Sequence, residues 1–171
     1  NLEYLRVDAD GLESFHGMEQ LANLKEAYFW GSSATYLDVS PLGGLSQLQI
    51  LRLPDRSGGN NMPPYSADGL SGLSGLRELT MNSAAQSLEP LRNLTGLTKL
   101  SIAGNSCPGA FQSLEPLSGL TGLKTLVLNL PSLTDLSPLS SLTGLQSANI
   151  TAPGVSDWSP LSHVPVVRQG E

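Results

Sequence analysis

The chain has a single cysteine, Cys107, which excludes an internal disulfide and a zinc site built from cysteines. Basic residues are scarce: 9 Lys and Arg stand against 15 Asp and Glu, for a formal net charge of −6 and a pI near 4.8. No positive field exists to hold a nucleic-acid backbone or an anionic membrane surface. Aromatic residues make up 5% and charged residues 14% of the sequence. No apolar run approaches the roughly 18 residues that a membrane-spanning helix needs, so membrane insertion is not expected. Leucine is in excess instead: 33 of 171 residues, nearly one in five.

The leucines repeat. The frame Leu88-Glu-Pro-Leu91 continues through Leu94, Leu97, Leu100 and Ile102. It returns from Leu114-Glu-Pro-Leu117 to Leu128, from Leu136-Ser-Pro-Leu139 to Ile150, and upstream from Val39-Ser-Pro-Leu42 to Leu53. Ala67-Asp-Gly-Leu70 leads to Met81 and Phe15-His-Gly-Met18 to Phe29 in the same way, without the proline. The anchors Val7, Phe29, Leu53, Met81, Ile102, Leu128 and Ile150 are 22, 24, 28, 21, 26 and 22 residues apart. Two apolar residues separated by one outward residue have the period of a strand. Leucine at every third position suits 3₁₀ or irregular turns. Proline at the first helical position predicts Ser40, Ser137 and Ser159 as N-caps, with Glu89 and Glu115 as poorer caps in the same slot. Neither a lone strand nor a lone turn can bury its leucines, so the units must stack.

This pattern resembles the leucine-rich repeats, whose periods run from about 20 to 29 residues. The resemblance covers the whole chain and implies an α/β solenoid: a curved array of about seven coils, with a parallel concave β-sheet and 3₁₀ or irregular convex turns. Thr134-Asp135-Leu136-Ser137-Pro138-Leu139 and Ser156-Asp157-Trp158-Ser159-Pro160-Leu161 are similar to the D-L-x-P-L motif of bacterial internalin-type arrays. Of the asparagine ladder of that type, only Asn105 fits. The resemblance implies a non-catalytic module that recognises a protein ligand with its concave face. Similar arrays follow NTPase modules in bacterial defence proteins, which implies an alternative role as the sensor or autoinhibitory segment of a larger intracellular protein. Asn1 opens within a repeat and Val164–Glu171 stops halfway through another, so residues 1–171 are expected to be one leucine-rich repeat domain of a longer chain. Docking onto the remainder of that chain is then a further expectation. One cysteine suits a cell-surface or a cytoplasmic compartment equally and leaves localisation open.

Outward strand residues line the expected recognition face. The residues between the inward pairs are Arg6, Tyr28, Arg52, Thr80, Ser101, Val127 and Asn149. The exposed column after the pairs reads Asp8, Trp30, Pro54, Asn82, Ala103, Asn129 and Thr151, and the column before them Tyr4, Glu26, Ile50, Glu78, Lys99, Thr125 and Ser147. Large, aromatic and charged members gather at the N-terminal end. Tyr4, Arg6, Asp8, Glu26, Tyr28, Trp30, Ile50 and Arg52 are therefore the candidate ligand-binding residues, since Trp, Tyr and Arg give interfaces their hot spots. Residues 54–66 and 103–113 enlarge two repeats at the same rim, and Met62 and Tyr65 in the first insertion are further candidates. Catalysis is not expected: His16 and His163 stand about six coils apart, and Cys107 has no histidine near it in sequence. Asp8-Ala9-Asp10-Gly11 is only a fragment of a calcium loop, so no metal or cofactor is expected.

Overall fold

A computed structural model describes residues 1–31, 38–54, 66–103 and 113–169, without the side chains of Val166, Arg168 and Gln169. Eight strands form one parallel sheet in sequence order: β1 (Tyr4–Asp8), β2 (Glu26–Trp30), β3 (Ile50–Arg52), β4 (Glu78–Asn82), β5 (Lys99–Ala103), β6 (Thr125–Asn129), β7 (Ser147–Thr151) and β8 (Val166–Gln169). A 3₁₀ turn lies between each consecutive pair. The first seven strands carry the anchors, except that Leu53 directly follows β3, and the trailing half-repeat supplies the eighth strand, with Val167 opposite Ala148.

Register follows the apolar pattern. Leu5, Ala27, Leu51, Leu79, Leu100, Leu126 and Ala148 are successive Cα partners across the sheet, and from β4 onward Met81, Ile102, Leu128 and Ile150 form the second inward row. A one-residue slip would turn every such side chain to the opposite face, so burial of one face fixes the pairing. Period-three leucines close the coil because their own amides make the i to i−3 bonds. Leu73 N–H donates to the Leu70 carbonyl at 3.1 Å and Leu76 N–H to that of Leu73 at 3.0 Å. One continuous core results, from Ala9 to Val164, with Phe15 and Phe29 packed at 4.5 Å between ring centroids. Leu5 and Val7 on β1 are only half-buried, as are Met18 and Leu21 in the turn that follows.

The turn caps lie elsewhere than expected. Ser40, Ser137 and Ser159 are the first residues of their 3₁₀ turns and cap nothing with their side chains. The acceptor is the side chain two residues earlier: Asp38 for the Ser40 N–H at 2.9 Å, Asp135 for Ser137 at 2.8 Å and Asp157 for Ser159 at 2.9 Å. Serine takes the same place in the other coils, where Ser14, Ser66, Ser87 and Ser113 accept from His16, Asp68, Glu89 and Glu115. The aspartate of D-L-x-P-L is thus one form of an Asx or Ser turn present in seven coils, and Glu89 and Glu115 are not impaired caps.

These bonds make the array sensitive to acid. The Ser40 hydroxyl, then the Ser40 amide, holds the Asp38 carboxyl below the ordinary aspartate value of 3.8. The Ser159 amide does the same for Asp157. A carboxyl whose folded pKa is depressed contributes stability above its unfolded pKa, and that stability is lost as pH falls through the folded value. Melting temperature is therefore expected to be flat near neutrality and to fall below pH 3.8, with a shallower fall in Asp38→Asn. Equal acid profiles for the variant and the parent chain would refute this assignment.

Candidate functional site

The strands set two of the three outward columns in the registers expected from the repeat. Tyr4 pairs with Glu26, Glu26 with Ile50, and Ile50 with Glu78; Arg6 pairs with Tyr28, Tyr28 with Arg52, and Arg52 with Thr80. Parallel neighbours lie about 4.8 Å apart, so these side chains form one continuous surface. Within it Tyr4 and Tyr28 meet at 5.5 Å with planes tilted by 42°. The Arg6 guanidinium carbon sits 5.3 Å from the Trp30 ring centroid, a cation–π distance. Tyr28 Oη donates to Glu26 Oε2 at 2.9 Å. Partial burial, followed by this hydrogen bond, pushes the Tyr28 hydroxyl pKa above 10.0, so the phenol stays protonated near neutrality.

Exposure separates this end from the rest. Among the described residues, the exposed large hydrophobic side chains are Leu2 (45%), Tyr4 (49%) and Trp30 (44%), all in the first two coils. Ile50 is half-buried and Arg52 is exposed. Further along the face, Glu78 and Lys99 pair at 3.4 Å, the columns continue through β7 as small residues apart from Val127, and Val166 and Arg168 of β8 follow in register. Asp8 belongs to the turn as much as to the face, since its Oδ1 accepts the Asp10 N–H at 3.0 Å.

One column departs from expectation. Pro54 and Asn82, read as outward residues, are buried, Asn82 to 5% exposure. Proline has no N–H for a ladder and is rarely accommodated inside a sheet, and β3 ends at Arg52. The Asn82 amide instead donates to the Pro54 carbonyl at 3.4 Å, while its Oδ1 accepts the Ala84 N–H at 2.9 Å. Between the tall Trp30 on one side and Ala103 on the other, the column sinks into a groove of about 300 Å³ lined also by Arg52 and Thr80. Gly31 closes the Trp30 end with φ 113°, where a Cβ would stand 2.5 Å from Asp10 Oδ1. Sequence reading missed this groove; Pro54 directly after a strand was the available signal.

Met62, Tyr65, Asn105 and Cys107 lie outside the described residues, as does nearly all of both insertions. His16 is exposed, 3.7 Å from Glu19, and His163 Nε2 lies 3.0 Å from the Leu142 carbonyl on a distant coil. Among the described residues no three His, Cys, Asp or Glu side chains gather where they could hold a metal ion, and no helix is long and apolar enough to cross a membrane.

No family model and no curated protein matches the sequence. Solved structures do match in fold. Internalin C2 of Listeria monocytogenes aligns with a TM-score of 0.70 and 26% identity over 98% of this chain and 80% of its own. A second internalin of that organism, InlF, aligns with a TM-score of 0.72 and 24% identity over 99% of this chain, which spans about half (54%) of that protein.

Proposed function

We propose that this chain, an internalin-like leucine-rich repeat protein, is a non-catalytic module that binds a protein ligand with the N-terminal part of its concave sheet face. The binding residues in this reading are Tyr4, Arg6, Asp8, Glu26, Tyr28, Trp30, Ile50 and Arg52. The observation that carries it is the exposure of Tyr4 and Trp30, at 49% and 44%, on β1, whose inward Leu5 and Val7 pack half-buried against the core, and β2, whose inward Ala27 and Phe29 are buried. Large rings held on a rigid sheet lose little conformational freedom on binding, and they offer apolar area with a polar edge. The small side chains of the C-terminal coils lack that property.

Affinity capture from lysate, culture medium and host extract, with wild-type protein and the Tyr28→Ala/Trp30→Ala pair, tests the reading. A partner held by wild type is expected to bind the pair at least about tenfold more weakly, because hot-spot truncations cost about 2 kcal/mol or more each. A partner retained equally by both would move the site off this face. Capture of the remainder of the parent chain alone would favour the sensor or autoinhibitory role.

A further inference from the structure

The proposed face carries two arginines, Arg6 and Arg52, that form no ion pair among the described residues. Among the described residues Lys25 pairs with Glu3 at 2.9 Å, Arg92 with Glu89 at 2.7 Å and Lys99 with Glu78 at 3.4 Å. Among those same residues, no such partner reaches the guanidinium of Arg6 or of Arg52. The carboxylates nearest in the columns are otherwise engaged: Glu26 accepts from Tyr28, Glu78 from Lys99 and Asp8 from the Asp10 amide. Arg77 and Lys124 also lack a carboxylate partner among the described residues, but in this chain of net charge −6 with 9 basic residues it is Arg6 and Arg52 that share one column of the sheet face. They flank Tyr28 in the same column, two strand spacings or about 10 Å apart at the backbone. Both also touch the surroundings of Trp30: Arg6 lies over its ring, and Arg52 lines the groove beside it.

We infer that the partner's contacting segment is acidic, with carboxylates that engage Arg6 and Arg52 on either side of Tyr28 and an apolar side chain that enters the groove between Trp30 and Asn82. This rests on the concave face being the binding surface and adds the chemistry of what it binds. Guanidinium groups offer a planar fork that matches carboxylate oxygens, and stacking on Trp30 holds one fork in place before binding. The groove beside Arg52 supplies desolvated apolar walls, where a charge-assisted bond is stronger than in open water.

The test uses a phage-displayed random peptide library selected on the full chain and counter-selected on Tyr28→Ala/Trp30→Ala, so that only binders of the face remain. The recovered peptides are expected to be enriched in Asp and Glu next to an apolar residue. A synthetic winner is expected to lose at least about tenfold in affinity for each of Arg6→Gln and Arg52→Gln, and to weaken as salt rises. It should bind Lys25→Gln and Arg92→Gln as it binds the wild type. Unchanged circular dichroism and melting temperature in the arginine variants exclude misfolding as the cause. Face-dependent peptides that are neutral or basic, and that tolerate both arginine substitutions, would overturn the acidic assignment and leave the face standing. Failure to recover any peptide that discriminates against the aromatic pair would overturn both.

Discussion

Phe29→Ala is expected to cost about 3–5 kcal/mol of stability, the range for emptying a buried phenylalanine site. Phe29 is 1% exposed, with its ring 4.5 Å from that of fully buried Phe15. It lies on β2 between Tyr28 and Trp30, which point the other way. The cavity would therefore open directly beneath the proposed recognition residues, and ligand affinity should fall together with stability. Leu126→Ala on β6, also fully buried, is the control: about 2–5 kcal/mol of stability lost, with affinity intact under conditions where the protein stays folded. Coils of a solenoid touch only their neighbours, which keeps the two lesions apart. Urea denaturation with parallel affinity measurements separates them. Equal loss of affinity in both variants would contradict a site on the first coils.

Gly72→Ala is the second large effect, expected at about 1–3 kcal/mol of destabilisation from overpacking. Gly72 is exposed, yet a Cβ there would stand 2.0 Å from the Gly43 carbonyl oxygen and 2.9 Å from its carbonyl carbon. Those are backbone atoms of the preceding coil and cannot swing aside. Gly69 and Gly75 meet the Val39 and Ser46 carbonyl oxygens at 2.4 and 2.5 Å in the same manner. The turns Ser40–Gly44 and Asp68–Gly72 thus approach closely only because glycine lines one side. Gly44 occupies the equivalent fifth place in its turn but meets nothing within 4 Å, and its φ is not positive. Gly44→Ala should be neutral or stabilise by up to about 1 kcal/mol through the unfolded chain. Thermal melts of the two variants compare the sites, and similar shifts would refute close coil packing at Gly72.

Gly44 and Gly72 also mark where sequence reasoning stops. Both read as the same turn position, and only the neighbouring coil makes one indispensable. The leucine frame was legible because its period and its inward pairs leave a single register. Tyr4, Glu26 and Ile50 therefore line up as the repeat implies. Pro54 was misplaced because alternation assumes that a strand continues, whereas β3 ends at Arg52 before a residue without an N–H; Asn82 is still on β4, but its amide donates to the Pro54 carbonyl and it is buried there. The cap was misassigned for a related reason: serine is common in this chain, so Ser14, Ser66, Ser87 and Ser113 do not stand out as equivalents of Asp135. Hydrogen bonds to the amide two residues on reveal the shared role. The aromatic and arginine cluster was legible as composition. The stacking of Arg6 on Trp30 and the groove beside Arg52 depend on side-chain geometry that no one-dimensional pattern encodes.

The most direct measurement is acrylamide quenching of Trp30 fluorescence in a Trp158→Phe background, with and without the captured partner. Trp158 is half-buried on the last coils and is the second of two tryptophans, so its removal leaves a single reporter on the proposed face. Saturating partner is predicted to shield Trp30 and reduce quenching severalfold, with a midpoint equal to the binding constant. A partner that binds with full affinity while Trp30 remains as open to quencher as in the free protein would contradict recognition by the N-terminal sheet face.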